Sequence, residues 1–231
     1  KQPYVQTPAT VSSLGAPAIE WLHKIYILLR SQSGHDFSLY KQKTVARRIE
    51  RRMALQQIER IEEYYRYLQQ SPAEADTLFK ELLIGVTNFF RDPDAFAALE
   101  QEVIPRLFEQ RKPDASLRVW IPGCATGEEA YSLAMLLREG MDALKQEFKV
   151  QLFATDINAG AIEQARQGRY SLSIAADVSS ERLQRFFLQG EETYQVGEQI
   201  RGMVVFAVQS VIKDPPFSKV DLISCRNLLI Y

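Results

Sequence analysis

Apolar side chains recur every three or four positions in the first third of the chain, which is the spacing of amphipathic helices. Val45, Ile49 and Met53 form one such stripe. The same spacing predicts further helices before and after this stripe, so we predict an all-helical domain over residues 18–84. Residues 1–17 carry three prolines and little to bury, which is typical of a linker.

The pattern changes at residue 117, where short apolar runs begin to alternate with helical segments. Residues 117–122 (LRVWIP), 150–155 (VQLFAT) and 220–224 (VDLIS) are predicted strands. Strands that alternate with helices are typical of a parallel sheet with right-handed crossovers. Residues 170–206 break this rhythm and predict antiparallel strands. The second half of the chain, residues 85–231, is therefore predicted to be an α/β domain.

This predicted sheet has fewer strands than a doubly wound α/β sheet usually contains. The third predicted strand ends at residue 224, and the chain given ends at residue 231. We therefore expect either that the domain is truncated at its C-terminus or that partner strands come from elsewhere.

Composition and charge exclude several classes of function. Lys and Arg together number 28 and Asp and Glu 29, which argues against a dedicated nucleic-acid binder. No apolar run approaches the roughly 18 residues of a membrane helix, so we expect no direct membrane insertion. Two cysteines cannot form a disulfide framework and favour the reducing cytoplasm, and two histidines leave no basis for a His-rich metal site.

The first candidate for chemistry lies between the first predicted strand and its helix, in the sequence GCATGEEAY. Gly123 and Gly127 allow a sharp turn and a close approach of the backbone to a ligand. Glu128 and Glu129 follow, at the helix N-terminus where the pyrophosphate of a dinucleotide would bind. Two carboxylates repel a pyrophosphate but attract an amino group or a sulfonium, which favours S-adenosylmethionine over a nicotinamide cofactor. The alternative is that they only stabilise the helix dipole.

Two further segments are predicted to end strands at the same edge of the sheet. Asp156 ends the second strand, where an acidic residue can accept both hydroxyls of a ribose. The alternative for Asp156 is a turn residue or the N-cap of the next helix. Cys225 follows the third strand, and because no histidine in this half could serve as its base, we expect a core cysteine and not a nucleophile.

The segment TNFFRD, residues 87–92, joins the two halves of the chain. Phe89 and Phe90 are expected to be core anchors. Arg91 either forms an ion pair with a neighbouring aspartate, or its planar guanidinium binds the carboxylate of a bound amino acid. The residues alone leave both readings of Arg91 open.

Together these motifs resemble the CheR-type chemoreceptor glutamate O-methyltransferases of bacterial chemotaxis. The resemblance implies a Rossmann-like S-adenosylmethionine-dependent methyltransferase domain with a small β-subdomain at about residues 170–206, and S-adenosylhomocysteine as the product. The sequence of these stretches is most similar to versions fused behind a CheB-like methylesterase domain, which would account for the linker. The matching stretches are VTNFFRD (86–92), PGCATGEEAYSLA (122–134), FATDINAGAIEQARQGRY (153–170) and DPPFSKVDLISCRNLLIY (214–231).

The resemblance also implies roles for single residues. Arg91 and Tyr231 are the catalytic candidates, which would position the reacting groups without transferring a proton. Ser210 stands where many members carry an asparagine that reaches the adenine. The cofactor-binding candidates, taken from the glycine loop and the family motifs together, are Thr87, Arg91, Gly123, Gly127, Glu129, Asp156, Ser210, Val211, Arg226 and Asn227.

The partner that the resemblance implies is the cytoplasmic helical bundle of methyl-accepting chemoreceptors. Because receptor methylation regions are acidic, a basic face on the second helix is the candidate docking surface. The alternative is an ordinary solvated helix face. The predicted function is methyl transfer to receptor glutamates, and the alternative is a catalytically silent module that senses the cofactor or serves as a scaffold. The docking candidates are Lys41, Arg47, Arg48, Arg51 and Arg52.

Overall fold

The chain divides into two compact units, one up to Ile84 and one from Gly85 to Ile230. Each unit has a hydrophobic core of its own. The structure is a computed structural model that describes residues 16–33, 36–83, 87–109, 111 and 116–229. Tyr231 and most of the predicted linker lie outside these ranges.

The described part of the first unit is helical, as predicted. The apolar stripe of the second helix is buried, with Val45, Ile49 and Met53 packed in one core with Tyr64. Ser71 caps the fourth helix, because its hydroxyl accepts a hydrogen bond from the Glu74 N–H at 3.3 Å. The helices are α1 (Ala16–Ser33), α2 (Gln42–Leu55), α3 (Ile61–Gln70) and α4 (Pro72–Leu82).

A buried carboxylate ties α2 and α3 to α4. Glu74, only 5% exposed, accepts hydrogen bonds from the Arg52 guanidinium at 2.9 and 2.6 Å and from the Tyr64 hydroxyl at 2.8 Å. The Gln56 amide donates a further bond at 2.9 Å. Burial raises the pKa of Glu74, but these donors outweigh it and hold the pKa below its ordinary value. We call Arg52, Gln56, Tyr64 and Glu74 the Glu74 cluster.

A four-stranded parallel sheet forms the centre of the second unit, which confirms the predicted α/β architecture. The strand order is β6-β2-β1-β7, and every described pair of neighbouring strands is parallel. The strands are β1 (Ser116–Pro122), β2 (Lys149–Asp156), β6 (Val204–Val208) and β7 (Leu222–Ile223).

Strand β6 differs from the sequence prediction. Its first residues were expected to belong to an antiparallel segment, but β6 pairs with β2 in the parallel sheet. The reason is the composition of the strand: VVFAV is a continuous apolar run, which suits a strand in a parallel sheet covered by helices. The antiparallel sheet that does form has the order β3-β5-β4, with β3 (Arg169–Ser171), β4 (Phe187–Gln189) and β5 (Thr193–Val196).

Helices pack on one face of the parallel sheet. Val119, Ile121 and Leu152 of that face share one core with the apolar side chains of the helices that follow β1 and β2. None of the described helices combines the length and the apolar character needed to cross a bilayer. The helices of this unit are α5 (Pro93–Ala98), α6 (Ile104–Glu109), α7 (Glu128–Leu144), α8 (Ala159–Gln167), α9 (Ser180–Phe186) and α10 (Glu198–Arg201), with a π-helical turn at Leu99–Val103.

Candidate functional site

The carboxyl ends of all four parallel strands meet at one edge of the sheet, and the candidate residues follow those ends. The glycine loop, residues 123–127, follows β1, and Asp156 ends β2. Gln209 comes directly after β6, and residues 224–227 come directly after β7. In open α/β sheets this edge is where ligands bind, so the topology alone assembles a candidate site.

Asp156 braces the glycine loop. One carboxylate oxygen accepts a hydrogen bond from the Ala125 N–H at 2.9 Å, and the other accepts from the Asn158 N–H at 2.9 Å. The N-cap of α8 is Asn158 and not Asp156, because the Asn158 side chain accepts from the Ala161 N–H. Each oxygen of a carboxylate can accept about two hydrogen bonds, so Asp156 retains capacity for two ribose hydroxyls.

The glycines of the loop serve close packing as well as the turn. Gly127 has a φ of +95°, and a Cβ at this position would lie 3.0 Å from the Cβ of Ala165 and 3.2 Å from the Phe206 ring. Gly123 has a φ of +70°, and a Cβ there would lie 3.0 Å from the Leu228 side chain. The segment after β7 therefore packs directly against the loop after β1, and glycine is needed at both contacts.

The two glutamates after the loop have different surroundings. Glu128 is 8% exposed, and both of its carboxylate oxygens accept hydrogen bonds from the Thr126 hydroxyl, at 2.9 and 2.7 Å. The expectation that both acids face a ligand is therefore wrong for Glu128. Glu129 is partly exposed and reaches β7, where it accepts a hydrogen bond from the Ser224 hydroxyl at 2.6 Å.

Two cationic side chains, Arg226 and Arg91, lie near enough to Glu129 to act on its charge. Burial raises the pKa of Glu129 above its ordinary value, while the Ser224 hydrogen bond and the charges of Arg226 and Arg91 act in the opposite direction. A carboxylate with two guanidinium groups nearby presents both signs of charge at one place. This is the complement of an amino acid, which carries an ammonium and a carboxylate on one carbon.

The segment of residues 87–92 is fixed to the site by its backbone. Phe89 and Phe90 are buried in the core of the second unit, which confirms them as core anchors. The Phe90 N–H donates to the Ser132 hydroxyl of α7 at 3.0 Å. Arg226 donates to the Arg91 carbonyl at 2.5 Å and pairs with the Asp92 carboxylate at 2.8 Å. Arg226 therefore links the end of β7 to this segment.

The structure places the remaining predicted residues as follows. Ser210 is engaged locally: its N–H donates to the Asp214 carboxylate at 2.7 Å, and its hydroxyl accepts from the Lys213 N–H at 3.3 Å. Cys225 is half-buried and not in the core as expected, and burial raises its pKa, which disfavours a thiolate nucleophile. Thr87 and Asn227 are partly exposed and Val211 is exposed.

Two of the predicted docking residues are only partly exposed, and their guanidinium groups are bonded within the helical unit. The side chain of Arg52 is 13% exposed because it belongs to the Glu74 cluster, and Arg48 donates to the Glu81 carbonyl of α4 at 2.7 Å. The prediction that they form an exposed basic face is wrong. Lys41 is exposed beside the start of α2.

A narrower basic stripe does face solvent on α2. Lys43, Arg47 and Arg51 are exposed and stand four residues apart, which aligns them along one side of the helix. Arg51 also forms an ion pair with Glu81 at 3.3 Å. Lys43 is not among the docking candidates predicted from the sequence, although its four-residue spacing from Arg47 was the available signal. We call Lys43, Arg47 and Arg51 the α2 basic stripe.

The geometry of this edge is that of a nucleoside-binding α/β domain. An acid that ends a parallel strand and braces a glycine loop is the arrangement of nucleoside-binding α/β domains. Glu129 with its neighbouring arginines suits a zwitterionic amino acid, and Asp156 suits a ribose. These residues fit an aminoacyl nucleoside such as S-adenosylmethionine better than a dinucleotide, whose pyrophosphate would meet Glu129.

Comparison with known proteins identifies both units. Residues 20–83 match the model of the CheR methyltransferase all-alpha domain, and residues 85–231 match that of the CheR methyltransferase SAM binding domain. The chain therefore belongs to the CheR methyltransferase family, and its second unit is an S-adenosylmethionine-binding domain.

Individual relatives agree with this assignment. The chain is 42% identical over 217 residues to an uncharacterized 104.1 kDa protein of Rhodobacter capsulatus. The aligned region makes up 94% of this chain but 23% of the relative. It is 29% identical to a chemotaxis protein methyltransferase of Listeria monocytogenes, over 88% of this chain and 76% of the relative. It is 30% identical to chemotaxis protein methyltransferase 2 of Vibrio cholerae, over 87% and 71%.

The affinity for S-adenosylhomocysteine is expected to fall as the pH is lowered, beginning above the ordinary titration range of a glutamate. The reason is that an ionised Glu129 is the form that attracts an ammonium group, and burial raises its pKa. Calorimetric titration between about pH 5 and about pH 8 measures this, and the Glu129→Gln variant should lose the dependence.

The stability of the fold should change with pH in the direction opposite to that of the affinity. Because the folded-state pKa of Glu129 is raised, the contribution of this group to the free energy of unfolding decreases as the pH rises through that pKa.

Glu181→Gln, at an exposed position of the same unit, is the matched control for the affinity measurement. An unchanged pH dependence of affinity in Glu129→Gln would exclude this role for Glu129.

Proposed function

We propose that this chain transfers the methyl group of S-adenosylmethionine to glutamate carboxylates of chemoreceptors and forms glutamate methyl esters. The observation that carries the proposal is the arrangement of charge along the sheet edge. Glu129, Arg91 and Arg226 provide both signs of charge beside β7 for the methionine portion. Asp156 provides carboxylate oxygens at β2 for the ribose. The Listeria and Vibrio relatives are named chemotaxis protein methyltransferases, which supports methyl transfer in chemotaxis.

The chemistry requires positioning and not proton transfer. The bound cofactor supplies a methyl group on a sulfonium, which is the electrophile. A glutamate carboxylate is already ionised near neutral pH, so the chain needs no general base to activate it. Holding the carboxylate oxygen, the methyl carbon and the sulfur in line can contribute about 7–11 kcal/mol to lowering the barrier.

Arg91 and Tyr231 are the proposed positioning residues at the reacting carboxylate. The carboxylate loses its charge as the ester forms, so a cation that bound it too tightly would stabilise the ground state more than the transition state. Arg91 lies close enough to Glu129 for its charge to lower the pKa of that carboxyl, so its own charge is already partly compensated.

We propose the α2 basic stripe as the docking surface for the acidic helical bundle of a chemoreceptor in the cytoplasm. Its three cations extend along one helix side, which matches a partner helix with acidic residues at the same spacing. A fused CheB-like domain remains a prediction, and the chain spans 23% of its 104.1 kDa Rhodobacter relative.

Reversing two charges of the stripe should slow receptor methylation in a salt-dependent way. We expect the Arg47→Glu, Arg51→Glu double variant to lose more of its rate at low salt than at high salt, because solvent-exposed charges are screened. Steady-state methylation of a receptor fragment at two ionic strengths measures the effect. Arg66→Glu, at an exposed position of α3, is the control. Equal losses at both ionic strengths, or an equal loss in the control, would make the stripe ordinary surface.

The activity itself is tested by transfer of labelled methyl groups to receptor fragments. Carboxyl methyl esters release methanol under mild alkali, so we expect label that is volatile after alkali treatment. Label that resists alkali would indicate methylation at another kind of atom. Absence of any label while S-adenosylhomocysteine still binds would favour the catalytically silent module.

A further inference from the structure

Arg91 lies between two residues whose backbone is left-handed. The φ of Phe90 is +48° and that of Asp92 is +57°. Residues other than glycine rarely adopt this region, and a bulky one such as phenylalanine persists there only when its surroundings hold it. The contacts that hold these two residues therefore also decide where the backbone of Arg91 lies.

One buried hydroxyl holds the residue before Arg91. Ser132, which is fully buried in α7, accepts a hydrogen bond from the Phe90 N–H at 3.0 Å. The Ser132 hydroxyl donates its own hydrogen to the Glu128 carbonyl, one turn earlier in the same helix, at 2.7 Å. Because the donor side of the hydroxyl is used within the helix, a lone pair is the side that remains for Phe90.

The residue after Arg91 is held from the end of β7. Arg226 donates to the Arg91 carbonyl at 2.5 Å and pairs with the Asp92 carboxylate at 2.8 Å. The ring of Phe90 also packs edge-on against Phe96, with 5.3 Å between the ring centroids. Both neighbours of Arg91 are therefore fixed, one by Ser132 and the core and the other by Arg226.

The same helix carries Ser132 and the acid of the site. Glu129 and Ser132 are three residues apart and so lie on neighbouring positions of one side of α7. Arg91 is near enough to Glu129 for its charge to lower the pKa of that carboxyl. Together the two groups provide the cation and the anion that an amino acid requires. Helix α7 therefore links the position of Glu129 to that of Arg91 through one hydrogen bond.

We propose that Ser132 is a positioning residue: by holding the Phe90 N–H, it keeps the Arg91 guanidinium beside Glu129, where both groups hold the amino-acid end of the cofactor. This inference rests on the proposed function. The alternative is that Ser132 only satisfies a buried N–H group, and its loss would then lower the stability of the fold without acting on Arg91.

The test measures the binding of S-adenosylhomocysteine to Ser132→Ala and Arg91→Met by calorimetry. We expect a roughly 3- to 10-fold weaker affinity in Ser132→Ala, as part of the roughly tenfold or greater loss that removal of a charged hydrogen bond causes in Arg91→Met. Ser132→Ala should cost no further affinity when it is added to Arg91→Met, because both substitutions act through the same contact.

The pH dependence of the affinity gives a second readout. Either substitution removes the effect of the Arg91 charge on Glu129, so the pKa of Glu129 should rise and the affinity should begin to fall at a higher pH. Arg226, which lowers this pKa, and Asp92, which raises it, remain paired with each other in both variants. Two thiols near Glu129 have pKa values that burial raises, and they stay neutral. These are Cys124 and Cys225.

Tyr131→Phe is the matched control, because it removes a buried hydrogen bond from the neighbouring residue of α7. The Tyr131 hydroxyl donates to the Ala165 carbonyl at 2.7 Å and does not contact the segment of residues 87–92. This variant should keep both the affinity and its pH dependence. Ser132→Cys, which retains a weak acceptor of similar size, should lie between Ser132→Ala and the unsubstituted chain.

The inference would be overturned by an unchanged affinity and pH dependence in folded Ser132→Ala, or by a loss that adds fully to that of Arg91→Met. If Ser132→Ala does not fold, Ser132→Cys decides in the same way. Absence of receptor methylation by the unsubstituted chain would contradict the proposed function, whereas the binding measurements would still decide whether Ser132 positions Arg91.

Discussion

Replacing Asp156 by alanine is expected to weaken the binding of S-adenosylhomocysteine by roughly 1–3 kcal/mol, about 5- to 150-fold. The substitution removes the proposed acceptors for the ribose hydroxyls. It also releases the Ala125 N–H, which Asp156 holds at 2.9 Å, so the glycine loop loses a brace at the same time. Calorimetric titration of the folded variant measures the change in the dissociation constant.

Two further variants serve as comparisons for Asp156→Ala. Asp156→Asn keeps one carbonyl acceptor and should retain part of the affinity. Glu163→Gln, at a solvent-exposed position of α8, should bind like the unsubstituted chain. A dissociation constant that is unchanged in Asp156→Ala, with the fold intact, would remove Asp156 from the site.

Replacing Glu74 by alanine is expected to destabilise the first unit by about 3–5 kcal/mol, the range for removing one partner of a buried ion pair. The variant leaves the partly buried guanidinium of Arg52 and the buried hydroxyl of Tyr64 without their Glu74 acceptor. Because the pKa of Glu74 is lowered in the folded state, its stabilisation is present above the unfolded pKa and is lost as the pH falls through the folded pKa.

Hydrogen exchange of α2, α3 and α4 in increasing urea measures this loss within the first unit. Asp76→Ala is the matched control, because Asp76 lies on the same helix with a side chain that is 56% exposed. Its ion pair with Lys80 is at the surface, so its removal should change stability by no more than about 0.5 kcal/mol. Equal protection in the two variants would mean that the Glu74 cluster does not stabilise the unit.

The Glu74 cluster also limits how docking can be tested. A charge reversal at Arg52 would place a second carboxylate beside Glu74, and it would therefore unfold the helical unit before it revealed anything about a receptor. Arg48, bonded to the Glu81 carbonyl, has the same difficulty. Variants on the α2 basic stripe, or at the exposed Lys41, separate docking from stability.

The sequence was sufficient for the architecture because the architecture depends on local patterns. Strands β1 and β2 are apolar runs, and each is followed by a helical period, so their parallel pairing could be predicted. The glycine loop and Asp156 could be placed at one edge for the same reason, since the carboxyl ends of parallel strands are neighbours.

The errors at Arg52 and β6 concern contacts between residues far apart in the chain, whereas Glu128 is bonded by Thr126, two positions away. Arg52 and Glu74 are 22 residues apart, and a helical wheel of α2 cannot show that α4 presents a carboxylate to what looks like its solvent face. Glu128 and Glu129 are adjacent and chemically identical, yet Thr126 binds one and Ser224 the other. Strand β6 was placed in the wrong sheet because its partner, β2, is separated from it by the whole antiparallel sheet.

A crystal structure with S-adenosylhomocysteine bound would show directly whether the cofactor lies along the carboxyl ends of the parallel strands. We expect the ribose hydroxyls to lie within hydrogen-bonding distance of the Asp156 carboxylate, with the amino group of the ligand towards Glu129. Density for the ligand away from the carboxyl ends of β1, β2, β6 and β7, or bound there in the reverse direction, would contradict this placement.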